Sequence, residues 1–282
     1  MVHFNVEVKT SDITYKVNGE KFQSADEFFK VNRSRKVVRE DWDDSQMDNY
    51  SFRKVHSYDE AKELLFNGYS EALDEFKEIV NMVGNDRKKI SFKNDMVGFQ
   101  PNVPNYIMGI PKSMINMHIA YVKTPVIDIY YDSSFTGKTD SSEYIKAGKK
   151  LIKVILTLEK NNYKVNLYNC QIFCGSVNNP NLDIRILKIK DSNRPFNINR
   201  MTFSIAHPAM SRGFDFEWMS KVPGGTDRDG YGKVFSEQFD KKLRNKIIHE
   251  ALGKNARLIT SKMIVNESMN NILEMIKGGG GD

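Results

Sequence analysis

Asp132, Ser134 and Thr136 stand at alternate positions in the segment Asp132-Ser133-Ser134-Phe135-Thr136, directly after the apolar run Val126, Ile127, Ile129 and Tyr130. A nearly continuous apolar run of this length predicts a strand buried on both faces, as in a parallel sheet. A loop at the C-terminal end of such a strand faces the crevice where α/β sheets bind ligands. One carboxylate and two hydroxyls make a hard-oxygen set of low charge. That set suits Mg²⁺, which keeps several waters and needs one or two protein carboxylates. It suits zinc poorly, because no His or Cys is near in sequence. The competing role for Asp132 and Ser134 is to cap the loop and the following helix.

Other residues with chemical capacity are weaker. Cys170 and Cys174, four apart on a predicted strand, share a face and read as small hydrophobes. His207-Pro208 puts an imidazole on an expected loop near the sheet's edge, and His207 and Arg212 are candidate partner-binding side chains. Gly137-Lys138-Thr139 resembles the end of a phosphate loop, but Asp132 stands where the earlier glycine belongs and would repel phosphate. Thr226-Asp227-Arg228-Asp229-Gly230 has calcium-loop spacing at its start. Counting from Asp227, the position that needs a glutamate holds Gln238, which leaves a solvated turn with glycine hinges.

Elements must position these residues. Residues 142–160 carry helical periodicity, Asn161-Asn162 ends it, and 165–173 reads as the next strand. Strand, helix and strand make a βαβ unit, which implies parallel pairing. Leu182–Ile189 alternates apolar with charged residues and predicts a half-exposed strand at a sheet edge. Residues 196–220 fit either a short strand with Met201, Phe203 and Ile205 inward, or a helix. A helix over 236–252 closed by Gly253, a strand over 257–264 and a helix over 267–276 follow. Upstream, residues 1–23 predict a hairpin turning at Ser11-Asp12 or Asn18-Gly19. Ser24 with Glu27, and Ser57 with Glu60, are capping boxes that open two helices. Residues 33–52 are polar and read as a loop, and 98–114 are broken by three prolines. The expected fold is α/β, a mainly parallel sheet flanked by helices over 115–277. An α+β N-terminal region, 1–114, packs on it, and 278–282 form a flexible tail.

Composition bounds the function. The chain has 282 residues and a formal net charge of +6. Residues 1–100 hold 16 basic and 19 acidic residues, 101–200 hold 14 and 7, and 201–282 hold 12 and 10. The basic middle would attract phosphate or an acidic protein surface, so nucleic-acid binding is one alternative. A lysine-rich solvated face is the plainer account, and no zinc-finger or RNA-recognition signature is visible. No apolar stretch approaches the ~18 residues of a membrane span. The start lacks a secretory pattern, so a cytoplasmic setting is expected. A metal-dependent hydrolase is a further alternative, with Asp128 or Asp215 as second carboxylate. Asp128 lies four residues back along the strand, far from the loop.

The segment from Val126 to Thr136 resembles the first strand and metal-binding loop of von Willebrand factor A domains. That family carries Asp-x-Ser-x-Ser, the metal-ion-dependent adhesion site, and Thr136 keeps the hydroxyl at the third position. The following helix and the strand over 165–173 fit the family's order. The resemblance implies a vWA-like (Rossmann-like) domain in which Mg²⁺ at Asp132, Ser134 and Thr136 bridges to an acidic side chain on a protein partner. It also implies a threonine and an aspartate from two later loops. Thr202 or Ser211 are candidates for the first, and Asp215, Thr226 or Asp227 for the others. The segment 98–114 and the run Ala206–Phe214 resemble uncharacterised phage and prophage proteins, which implies an accessory or anti-defence role in a host cytoplasm. The expected function is therefore a non-enzymatic, Mg²⁺-dependent protein-binding module.

Overall fold

A computed structural model describes residues 1–36, 50–83, 90–119, 124–174, 180–195, 197–222 and 234–278. The chain divides into two compact units, Met1–Val83 with Val126–Asp282, and Gly84–Pro125. The expected boundary at 114/115 thus differs from the division observed. The irregular 98–114 stretch belongs to a small insertion of its own.

The large unit is built on a six-stranded sheet. Strands β1 (Val2–Lys9) and β2 (Thr14–Phe22) form the N-terminal hairpin. It turns at Ser11-Asp12, where Thr10 N–H and Oγ1 both donate to the Ile13 carbonyl. Gly19 lies inside β2 opposite Phe4. A Cβ at Gly19 would sit 1.9 Å from the Phe4 ring, so a larger residue there would displace that ring. Strands β6 (Val126–Asp132), β7 (Lys164–Cys174), β8 (Asn181–Lys190) and β9 (Ala256–Thr260) complete the order β1-β2-β8-β7-β6-β9. The β2–β8, β6–β7 and β6–β9 pairs are parallel, and the β1–β2 and β7–β8 pairs antiparallel.

Helices cover both faces. On one lie α1 (Ala25–Ser34), α3 (Tyr58–Asn67), α4 (Ser70–Val83), α6 (Ser141–Lys160), α7 (Ile198–Ala206), α8 (Asp215–Lys221), α11 (Ser261–Asn266) and α12 (Met269–Lys277). The other core cluster includes Phe235 and Phe239, at the start and C-cap of α9 (Phe235–Gln238), and Ile247 and Ile248 of α10 (Lys241–Leu252). The short α2 (Tyr50–Arg53) precedes α3. Ser24 accepts from Glu27 N–H at 3.1 Å, and Ser57 from Glu60 N–H at 3.1 Å. Glu27 and Glu60 reach back to the N–H groups of Gln23 and His56, the reciprocal half of the motif. The close crossing of α6 with α7 and α4 uses Gly148, where a Cβ would meet Ala206 at 2.9 Å and Phe76 at 3.2 Å.

Two expectations are corrected, and one left open between strand and helix is decided. Strand β8 lies between β2 and β7 rather than at an edge, and both Asp183 and Arg185 are buried. Its charged alternation marks a buried ionic network, not solvent. Residues 198–221 are helical apart from the extended His207, and a π-helical turn at Met210–Phe214 leads into α8. Met201–Ala206 are buried all round the helix, so inward Met201, Phe203 and Ile205 do not mark a strand. The strand expected over 257–264 stops at Thr260, whose Oγ1 caps α11 by accepting from Met263 N–H at 3.2 Å. Most of the expected 33–52 loop, the 224–230 glycine loop and the tail beyond Gly278 lie outside the described residues.

In the small unit, β3 (Ile90–Asp95) and β4 (Gln100–Pro101) flank β5 (Met114–Ile119) in antiparallel pairing. Its helix α5 (Val103–Ile107) starts at Asn102, whose side chain accepts from Asn105 N–H.

Candidate functional site

Asp132 is the last residue of β6, and its side chain is wholly out of water. Its Oδ1 accepts from Ser134 N–H at 3.0 Å and from the Ser134 hydroxyl, an Asx-type turn that bends the chain off the strand. Its Oδ2 has no hydrogen-bond partner among the described residues. Ser261, one residue past β9, donates its hydroxyl to the Ser134 carbonyl and pins the loop to the neighbouring strand end.

Arg185 projects from β8 into the same region. Its Nη1 donates to the Asn169 carbonyl at 3.0 Å and its Nη2 to Asn169 Oδ1 at 2.5 Å. Nη2 also pairs with Asp215 at the start of α8, and both partners are completely buried. Asn169 in turn donates to Ser133 Oγ at 3.0 Å and to the Ser204 carbonyl at 2.6 Å. The chain of contacts therefore runs Asp215, Arg185, Asn169, Ser133, with Asp132 adjoining Ser133 in the chain.

Two carboxylates and one guanidinium share this interior. Burial pushes the Asp132 carboxyl up to about 6, against the downward pull of the Ser134 hydrogen bonds and the Arg185 charge. Burial also pushes Asp215 up to about 6; Arg185 opposes the shift and Asp132 adds to it. The Cys170 thiol is raised well above its ordinary value by burial and then by the Asp132 charge. Both cysteine side chains are buried.

The other candidate residues lie elsewhere. Thr136 is exposed, with its hydroxyl 3.0 Å from that of Thr139. Thr202 is held in the core, accepting from Tyr69 N–H at 2.9 Å. Ser211 lies 3.3 Å from the Tyr144 hydroxyl. Thr226 and Asp227 lie outside the described residues. Arg212, only 4 % exposed, is a staple. Its Nη2 donates to the carbonyls of Thr136, Gly137 and Thr139, and its Nη1 to that of Phe52. His207 is buried between Tyr69 and Phe203, and its Nδ1 accepts from Ala209 N–H at 3.1 Å. Burial lowers it to about 3, so it is neutral. These contacts give Arg212 and His207 internal structural work in place of the surface role expected of them.

As a cation site the oxygens fit poorly together. Ser134 spends its hydroxyl on Asp132, Thr136 faces outward, and a guanidinium already stands beside the carboxylates. Among the described residues no group of three or more His, Cys, Asp and Glu side chains is placed to hold a metal. Among the described residues, Asp132 Oδ2 is one of several buried polar atoms here without a hydrogen bond, with Tyr131 Oη and Ser204 Oγ. Sequence reasoning missed Arg185 and Asn169. A charged residue inside a strand otherwise rich in Leu and Ile was the available signal.

These features define the class: a mixed α/β protein with a helix-flanked sheet and a buried acid–arginine network at the C-terminal end of β6. The chain belongs to the family described as a domain of unknown function (DUF7192), which matches residues 7–274. Searches of curated proteins and of solved structures found no match.

Proposed function

We propose that this chain is a non-enzymatic protein-binding module of von Willebrand factor A-like build, whose docking surface is the Gly84–Pro125 unit. The observation that carries the reading is the apolar surface of that unit. Val97, Tyr106 and Ile107 are 76 %, 73 % and 78 % exposed, and Phe92, Phe99 and Met108 are more than half exposed. Contiguous apolar surface beyond a few hundred Å² marks an interaction site. Aromatic and Met side chains are those enriched at protein interfaces. The unit carries 6 basic residues against 2 acidic over 84–125, so the partner surface is acidic. The vWA-like part of the proposal draws support from the parallel β6–α6–β7 unit and from Asp132 at the strand end.

The test is a photo-crosslinking residue at Tyr106 of the full chain, in the cell that makes it. A discrete adduct with an acidic protein is expected, lost in the Phe99→Asp, Ile107→Asp double variant. An adduct unaffected by that variant, or none, overturns the reading.

A second reading rests on the unpartnered Asp132 Oδ2. In this reading Asp132 and Ser134 would hold Mg²⁺, and the ion would supply a coordination position for a partner carboxylate. Calorimetric titration of Mg²⁺ into wild type and Asp132→Ala decides it. Binding lost in the variant favours the bridge. No binding in either leaves the metal-free surface, the mode an inhibitor acting by occlusion would use.

A further inference from the structure

Strand β9 ends the sheet on one side, pairing with β6 and with no further strand among the described residues. Beside it lies a groove of about 900 Å³. Its walls come from helices on opposite faces of the sheet: α10, whose Ile247 and Ile248 pack in one core, and α11 and α12, whose Ile264, Ile272 and Ile276 pack in the other. Residues from opposite faces line one cavity only where the sheet stops between them, so the groove runs across the open edge of β9.

The backbone of that edge is partly free. Ala256 gives its N–H to the Gly253 carbonyl at 3.0 Å and receives Arg257 Nη1 on its own carbonyl at 3.3 Å. Ala256 thus points away from β6. Successive residues of a strand alternate in direction, so Leu258 points its N–H and C=O the same way, into the groove.

The walls differ in chemistry. The α10 wall presents Lys241, Lys242 and Arg244. The opposite wall presents the half-buried Met263 and Met275 over the packed Ile272 and Ile276, with Glu267 and Glu274 at its rim. A strand added at the edge would send alternate side chains to opposite faces. One set would meet the cationic wall and the other the apolar wall.

We infer that the open edge of β9 is a docking groove for an extended partner segment of alternating acidic and apolar residues, which adds to the sheet at Leu258. This site is separate from the apolar face of the Gly84–Pro125 unit and does not rest on the function proposed above.

The test uses the full chain and a fluorescein-labelled peptide, Ser-Val-Glu-Val-Glu-Val-Glu-Val-Ser, read by fluorescence anisotropy. Controls are the same peptide with Lys for Glu and one with the same residues in blocks of Val and Glu. Saturable binding is expected for the alternating acidic peptide, about tenfold weaker in the Lys241→Glu, Lys242→Glu variant, whose changes are confined to exposed side chains. Amide exchange at Leu258 should slow on binding, a readout that surface charge attraction alone would not move. Absence of binding, equal binding of the block or Lys peptides, or an unprotected Leu258 amide would each overturn the inference. The Phe99→Asp, Ile107→Asp variant should bind the peptide as wild type does.

Discussion

Arg185 and Asp215 form an ion pair sealed from solvent, and Arg185 also donates to the backbone carbonyl and the Oδ1 of Asn169. The pair ties β8 to the start of α8, while Asn169 carries the connection to β7 and the loop after β6. Breaking one partner leaves an uncompensated buried charge. Arg185→Met should therefore cost about 3–5 kcal/mol in urea unfolding. Arg185→Met with Asp215→Leu should recover most of that loss, because a buried pair replaced by apolar residues is often neutral. A double variant as unstable as the single one would mean that the Asn169 contacts, not the charge, hold the region.

Part of the pH dependence of stability follows from Asp132, with Asp215 acting in the same direction. Burial raises the folded-state value of Asp132 to about 6, against an ordinary value of 3.8. Between those values the folded chain holds a proton that the unfolded chain has lost. This contribution is fully present below about pH 4 and disappears as pH rises through 6. Urea unfolding from pH 4 to 7 should show Asp132→Asn losing less stability across the window than wild type. Identical slopes would mean that Asp132 is ionised throughout.

His207 acts with the opposite sign. Its folded-state value, about 3, lies below the ordinary 6.5 because the ring is buried. The unfolded chain takes up a proton first, so stability is lost as pH falls from 6.5 toward 3. His207→Asn keeps an acceptor for the Ala209 N–H and removes the titration. It should flatten the acid limb, measured by the same unfolding series. An unchanged acid limb would place the titration elsewhere.

The parts legible in the sequence are those set by local rules. Two capping boxes, the N-terminal hairpin and the β6–α6–β7 unit depend on neighbours within a few turns, and the structure has them; of the two turns the hairpin's sequence allows, it uses Ser11-Asp12. In strand β8 the alternation of charge predicts exposure, and the fold buries it instead. Asp183 and Arg185 are buried, and the Asp215 partner that makes burial of Arg185 tolerable lies thirty positions downstream. No periodicity reports such a pairing. Residues 198–221 defeat the pattern in the opposite way: α7 is buried on every side over Met201–Ala206, so it shows no polar stripe. The loop residue Asp132 was found from its setting after a buried strand. Its neighbours Arg185 and Asn169 became visible only with strand register.

Arg212 offers the sharpest test of how the loop after β6 is held. Its guanidinium lies 4.6 Å from the Phe52 ring and 5.2 Å from that of Tyr144. Four carbonyls, on Phe52, Thr136, Gly137 and Thr139, receive its two terminal nitrogens. The planar fork suits this work, and a lysine ammonium, a compact point charge, cannot serve both groups of carbonyls at once. Arg212→Lys should cost about 2–3 kcal/mol of stability, within the range for hydrogen bonds to charged groups. Amide exchange should accelerate at Lys138 and Thr139 while the amides of β6 keep their protection. A lysine variant with wild-type stability and unchanged exchange would show that the loop is held by the Asp132–Ser134 turn and the Ser261 bond alone.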